Sequence, residues 1–294
     1  MLSGGLDSRL AVKIMQSKGY NVLGLYFKFP FSKDNEAIIR DFARKHKFEL
    51  RVLDGTKGKL LQEYLKIIKK PLHGRGAGVN PCIDCRLFML KKAKEIADSE
   101  GIDLVATGEV LGQRPMSQHK RGLDIASKKS GLGKRLIRPV MEAGAKGRSR
   151  QLQMKLAKKF KIDYPNAGGG CLLCEKNLVR RLKHLLDRGV DEKEIKLLSV
   201  GRHFVIDKKW VVIGRDKEEN KIIESIGTGE VVLPEGKSIG PSAVILDKAT
   251  ATVKDKVNAK AKTFSVKEKV KELIKAYSKG VGVKERKKFK DFLL

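Results

Sequence analysis

Apolar positions in the first half of the chain alternate between a helical and an extended rhythm. Over residues 8–18, Leu10, Ile14 and Met15 recur at helical spacing and Gly19 closes the segment. Residues 20–27 form a continuous β-favouring run, 37–47 return to the helical period, and 49–53 read as a further strand. A helix is predicted over 58–69. The flexible stretch Gly74-Arg75-Gly76-Ala77-Gly78 then delivers Pro81-Cys82 to the start of a helix over 87–100. Residues 103–107 read as a strand ending at Gly108. Strands alternating with helices predict an α/β fold with a doubly wound parallel sheet. Residues 113–150, rich in Arg, Lys, Gly and Ser, read as loops over the strand ends. A helix over 151–160 leads to Asp163-Tyr164-Pro165, and Gly168-Gly169-Gly170 leads into a cysteine pair. Residues 178–187 form a basic amphipathic helix.

The rhythm then changes. Residues 202–207, 209–214 and 230–233 read as short strands of a smaller α+β domain. From Ala249 the chain becomes a Lys-, Ala- and Val-rich helical tail reaching Leu294. The boundary falls near residues 175–200, predicting domains over 1–175 and 176–294. A chain of 294 residues suits two domains. No apolar run approaches the roughly 18 residues of a membrane span, and the first residues lack the pattern of a signal peptide. A cytoplasmic location without a membrane partner is the expectation.

Charge narrows the class of partner. Lys and Arg number 64 against 34 Asp and Glu, a net of +30, which attracts polyanions and points to RNA. Aromatic residues are 6% of the chain, so no base-stacking platform is advertised. The four cysteines fall into two pairs, Cys82-Ile83-Asp84-Cys85 and Cys171-Leu172-Leu173-Cys174. In a cytosolic chain such spacing favours metal or redox chemistry over structural disulfides.

The sharpest motif is Ser3-Gly4-Gly5-Leu6-Asp7-Ser8, read as a turn between a strand and a helix. Glycines admit close backbone approach to phosphate, and the N–H groups and dipole of the helix start favour an anion. Ser3 and Ser8 add hydroxyl donors. Asp7 would repel phosphate unless a divalent cation bridged them, which implies Mg²⁺. No Gly-Lys-Ser/Thr follows, so this is not a Walker A loop. It resembles the PP-loop of the ATP pyrophosphatases, a family with an adenine nucleotide alpha hydrolase-like domain. The resemblance implies that ATP is split to AMP and pyrophosphate at Ser3, Gly4, Gly5, Asp7 and Ser8. In that family a full strand precedes the loop, so a start upstream of Met1 is expected.

Further motifs select a branch of the family. Pro81-Cys82-Ile83-Asp84-Cys85-Arg86 resembles the first cysteine site of tRNA thiouridine synthases. The run from Ala106 to Gln118, with Gly108-Glu109, Gly112-Gln113 and Ser117-Gln118, is similar to a segment of the tRNA 4-thiouridine synthetases, as is Arg138-Pro139. Cys171 falls where that family keeps its sulfur-carrying cysteine. The resemblance, over roughly residues 1–175, adds Gly108 and Gln113 to the ATP site and implies a tRNA uridine thiolase. ATP would adenylate a uracil carbonyl oxygen, and sulfur would displace AMP. Cys171, Cys82 and Cys85 would be catalytic together with Asp7, with a cysteine desulfurase or sulfide as donor. The two pairs admit three readings: a persulfide relay between Cys171 and Cys82 or Cys85, a [4Fe-4S] cluster, or a zinc ion held by Cys82, Cys85, Cys171 and Cys174. An adenylating synthetase for a small molecule and a non-catalytic RNA-binding protein are the rival functions.

The 4-thiouridine synthetases usually carry an N-terminal RNA-binding THUMP module, so a replacement is expected elsewhere. Gly201-Arg202-His203-Phe204, Val212 to Asn220 and Gly240-Pro241-Ser242-Ala243 resemble the NFACT-R type of RNA-binding domain. That resemblance makes Arg202, His203 and Arg215 candidate phosphate contacts. The basic tail around Lys284-Glu285-Arg286-Lys287-Lys288 reads equally as a tRNA-facing helix or a solvated face.

Overall fold

A computed structural model describes residues 1–164, 170–236, 239–247, 265–281 and 283–294. Pro165, Gly168, Gly169 and residues 249–264 of the expected tail helix lie outside the described residues. The chain divides into two units, Met1–Lys176 and Asn177–Leu294.

The first unit begins α1 (Leu6–Ser17), β1 (Leu23–Lys28), α2 (Glu36–Lys45), β2 (Glu49–Asp54), α3 (Gly58–Lys69) and α4 (Cys82–Ser99). It continues with β3 (Val105–Ala106), α5 (Lys120–Lys129), β4 (Leu136–Ile137), α6 (Pro139–Glu142) and α7 (Gln151–Lys159). β1 pairs parallel with β2, and β3 pairs parallel with β4. Residues 1–2 join the two ladders. The Met1 ammonium donates to the Ala106 carbonyl at 2.7 Å, and the Leu2 N–H donates to Leu25 at 2.8 Å.

Burial explains why this order is stable. The apolar stripe of α1 (Leu6, Leu10, Ala11, Ile14) packs with Ile39 and Phe42 of α2, Val140 of α6 and Ala157 of α7 in one core. Elsewhere in the unit, α3 packs on α4 and α4 on α5 and β3. An aromatic stack fills that layer, with Phe29 and Tyr64 centroids 4.0 Å apart and Phe88 6.0 Å from Tyr64.

Two expectations need correction. Residues 113–150 are not only loops: they hold α5, β4 and α6. Helical spacing of Leu123 and Ala126, both buried, is obscured in the sequence by the surrounding lysines. The first cysteine pair is also not ahead of a helix but in its first turn, because α4 starts at Cys82. Pro81 at its N-cap accepts from the Cys85 N–H at 2.8 Å and sets that start.

The second unit holds α8 (Val179–Arg188), α9 (Glu192–Leu197), β5 (Arg202–Ile206), β6 (Lys209–Ile213), α10 (Lys217–Glu224), β7 (Glu230–Val232), β8 (Ala243–Leu246), α11 (Val266–Tyr277) and α12 (Val283–Lys287). The strands form an antiparallel sheet in the order β5-β6-β8-β7. Phe204, Val211, Ile213 and Ile245 of the sheet meet Val270, Leu273 and Ile274 of α11 in its core. Asp191, Asp216 and Ser265 cap α9, α10 and α11 with their side chains, and Ser265 and Glu268 complete a capping box. β8, fully buried and without polar alternation, and α10 are elements that strand spacing did not predict.

The β5–β6 hairpin turns through Asp207 and Lys208, both left-handed with φ of 48° and 65°. A lysine held there costs about 1 kcal/mol relative to glycine. Lys208→Gly is therefore expected to stabilise this unit by about 1 kcal/mol, read as a higher urea midpoint of Trp210 fluorescence.

Candidate active site

The loop between Leu2 and α1 is built for close approach. Gly4 takes φ of +83°, and a Cβ there would meet Ile39 at 3.0 Å. Ser8 Oγ donates to the Gly5 carbonyl at 2.9 Å and accepts from the Ser3 N–H at 3.2 Å, with Ser3 Oγ 3.3 Å away. The loop is thereby folded back on the first turn of α1. Buried Arg9 braces it from behind, donating from Nε to the Gly4 carbonyl at 2.8 Å. Gly108 packs on the loop backbone so tightly that a Cβ would lie 2.5 Å from Asp7 C and Ser8 N. Ser3, Gly4, Gly5, Asp7, Ser8, Gly108 and Gln113 are thus brought to one place.

Gln113 Nε2 donates to Asp7 Oδ2 at 2.9 Å. Asp7 Oδ1 is buried and has no hydrogen-bond partner among the described residues. A buried, unpaired carboxylate oxygen is costly, and a divalent cation satisfies it. Mg²⁺ needs only one or two protein carboxylates when phosphates and water complete its octahedron. The residues present fit that group.

The cysteines are gathered by contacts distant in sequence. The Val79 N–H donates to the Leu173 carbonyl at 2.9 Å, and a Cβ on Gly78 would lie 2.3 Å from that oxygen. This apposition brings Cys174 beside Cys82, so that the two thiols perturb each other's ionisation. All four cysteines are free thiols. The Cys174 hydrogen bond, then that from Asn80, with the charges of Arg114 and Arg86, outweigh burial and lower the Cys82 thiol to about 6. Cys174 is shifted upward because it keeps the shared proton. Burial pushes Cys171 up to about 12, with Ser32 and the Leu173 N–H beside it. Burial also raises Cys85, whose sulfur lies 3.6 Å from the Tyr64 hydroxyl.

Among the described residues, no group of three or more His, Cys, Asp or Glu could hold a metal ion. The cluster and zinc readings of Cys82, Cys85, Cys171 and Cys174 do not fit this arrangement, and no step is derived through either.

One loop connects the two sites. Residues 108–118 place Gly108 and Gln113 on the PP-loop and Met116 Sδ 3.6 Å from Asn80 Nδ2, beside Cys82. Behind it sits a network that spacing did not reveal. Glu109, 1% exposed, pairs with Arg86 at 3.1 Å and Arg138 at 3.1 Å and accepts from Thr107 Oγ1 at 3.1 Å. Removing one member of a buried ionic network leaves uncompensated charge. Glu109→Gln should destabilise the first unit by about 3 kcal/mol, measured by urea unfolding under circular dichroism, with the Trp210 transition unchanged.

The three residues expected to contact RNA have other surroundings. His203 is fully buried: Nε2 bonds the Val200 carbonyl at 2.8 Å, and Nδ1 accepts from Trp210 Nε1 at 3.1 Å. Burial lowers it to about 3, so it is a neutral core histidine that reaches no phosphate. Arg215 is held by Glu219, with Nε–Oε1 at 2.9 Å, and its guanidinium lowers that carboxyl to about 2. Arg202 lies 5.0 Å over the Tyr277 ring. Among the described residues, no helix is long and apolar enough to cross a membrane.

Comparison with known proteins adds a family. The sequence model described as Thiamine biosynthesis protein (ThiI) matches residues 1–147. The tRNA-specific 2-thiouridylase MnmA of a Nitratiruptor species is 36% identical over 115 residues, covering 36% of this chain and 32% of its own length. A probable tRNA sulfurtransferase of Clostridium acetobutylicum is 33% identical over 134 residues, covering 43% of this chain and 32% of its own. Its counterpart in Alkaliphilus metalliredigens is 30% identical over 131 residues, covering 43% and 31%. The chain spans about a third of the length of these relatives.

Proposed function

This chain belongs to the ThiI family, and on that footing we propose that it is an ATP-dependent tRNA uridine thiolase. The observation that carries the reading is the coexistence, in one unit, of the Asp7 loop and a gathered thiol site joined by residues 108–118. A small-molecule synthetase needs no such thiol site, and the net charge of +30 suits a polyanionic substrate.

Ser3, Gly4, Gly5 and Ser8 would hold the phosphates of ATP, Asp7 would hold Mg²⁺, and Gln113 orients Asp7. Mg²⁺ held there would supply charge neutralisation to the phosphates. Adenylation of a uracil carbonyl oxygen makes AMP the leaving group in place of a poor one. Cys82, a thiolate at neutral pH, carries a sulfane sulfur delivered by a donor such as a desulfurase. That terminal sulfur bonds to the activated carbon, and the C–O bond to AMP breaks. Cys174 then attacks Cys82 Sγ, the S–S bond to the product breaks, and a Cys82–Cys174 disulfide remains for a dithiol reductant to reopen. Cys171 and Cys85 complete the thiol pocket; the resemblance would place the sulfur on Cys171, whereas burial and its raised pKa argue for Cys82.

The doubly wound arrangement belongs to the same reading, with helix layers α1–α6–α7 and α3–α4–α5 around the parallel ladders. Residues 1–175 would be the adenylation and thiolation domain. Residues 176–294 would be an RNA-docking domain of NFACT-R type, contacting tRNA through Arg202, Arg215 and the basic tail. The deciding experiment is pyrophosphate exchange into ATP with and without tRNA, paired with mass analysis of tRNA nucleosides. Exchange stimulated by tRNA with thiolated uridine is expected. Hydrolysis of ATP indifferent to tRNA, with no thiolated uridine, overturns the proposal, as would stoichiometric iron in the anaerobically purified protein for its dithiol chemistry.

A further inference from the structure

Asn80 is polar and 7% exposed, yet it belongs to no motif read from the sequence. Its side chain is oriented from both ends. The Gly78 N–H donates to Oδ1 at 3.1 Å, which fixes the oxygen and turns Nδ2 the other way. Nδ2 donates to Cys82 Sγ at 3.1 Å and approaches Met116 Sδ at 3.6 Å. The backbone locks the same geometry, since the Gly76 N–H donates to the Asn80 carbonyl at 3.0 Å. A Cβ on Gly76 would lie 2.4 Å from Nδ2, so the turn leaves room for this amide and little else.

The target atom is placed to use that donor. Cys82 is the first residue of α4, an 18-residue helix whose dipole favours negative charge at its start. A sulfur that accepts a fixed N–H at a helix N-terminus is a better thiolate than thiol, because a hydrogen bond to the charged form is roughly twice as strong as one to the neutral form.

We infer that Asn80 is a catalytic residue of this site, its amide N–H holding the Cys82 sulfur as an anion, either as the thiolate that accepts sulfur or as the persulfide that delivers it. This rests on the thiolase reading only in calling the sulfur the reacting atom; the thiolate itself is measured without tRNA or ATP. The lowered value for Cys82 is consistent with it.

The test is the pH dependence of iodoacetamide reaction at Cys82 in the full chain. Labelling is located by fragment masses within the 76–86 tryptic peptide, which separates Cys82 from Cys85. In Asn80→Ala the midpoint should move up by about one pH unit, so labelling at pH 6 falls roughly fivefold. Asn80→Asp preserves the Oδ1 acceptor for Gly78 and removes the donor, so it keeps the turn if the alanine variant does not fold; its midpoint should rise further. An unchanged midpoint in a folded variant of either kind overturns the inference, whatever thiolation does. A raised midpoint in a protein that never thiolates tRNA would keep the thiolate assignment and sink the thiolase reading instead.

Discussion

Asp7→Ala is expected to lower tRNA-dependent pyrophosphate exchange by roughly 10²–10³-fold while leaving the chain folded. The stability arm makes this prediction sharp. Asp7 Oδ1 is buried without a partner in the described residues, and Oδ2 has only the Gln113 amide. A carboxylate kept under those conditions costs the fold on the order of 1–3 kcal/mol in desolvation. Removing it should leave the unfolding midpoint unchanged or raise it. A variant that loses activity through collapse of the loop would instead lower the midpoint. Asp7→Asn separates charge from shape: it is nearly isosteric and should lose exchange to a similar degree. Full exchange in either variant would remove Asp7 from the nucleotide site and with it the PP-loop reading of residues 3–8.

Cys82→Ser is expected to abolish thiolation, by about 10³-fold or more, while exchange stays within about twofold. The split follows from the site's two halves: the proposed nucleotide contacts lie on residues 3–8, 108 and 113, and the thiols are gathered by residues 78–85 and 171–174. Serine keeps the shape and loses the soft, ionisable atom. Cys174→Ser should permit one turnover without resolution, leaving a mixed species on Cys82 detectable by intact mass. The pH arm has a definite sign. With Cys82 lowered to about 6, its thiolate is present above that pH and is lost as pH falls through it. Thiolation in the wild type should therefore decline below about pH 6 while exchange does not follow the same curve. If Cys82→Ser thiolates normally and Cys171→Ser does not, sulfur travels on Cys171 and the assignment made from burial is wrong.

Local signals were legible wherever the chemistry is contiguous. The glycines and Asp7 of residues 3–8 point to an anion site because a glycine turn and a helix start follow one another in the chain, although residues 1–2 form no strand of their own. Helical spacing found α1, α2, α3 and α7 to within a few residues, since each buries one stripe. β8 escaped because a fully buried strand has no alternation, and α5 because lysines flank its two core positions. His203 shows the opposite failure. Between Arg202 and Phe204 it reads as a polar contact, but β5 is buried on both faces, and Trp210 and the Val200 carbonyl satisfy both nitrogens of the buried ring.

The sequence by itself determined that a glycine-rich Ser3–Ser8 segment carries Asp7, that four thiols come in two pairs, and that the chain is strongly basic. These are properties of contiguous residues and of composition, and no fold can alter them. Tertiary structure decided which groups act on one another. The apposition of residues 78–79 with 173 pairs Cys82 with Cys174, and the turn at Gly76 and Gly78 aims Asn80 at Cys82. The loop from Gly108 to Met116 ties Asp7 to the thiol site. The physical reason is range. A thiol's ionisation and a carboxylate's need for a cation depend on what lies within a few ångströms, and those neighbours are supplied by chain up to about a hundred residues away.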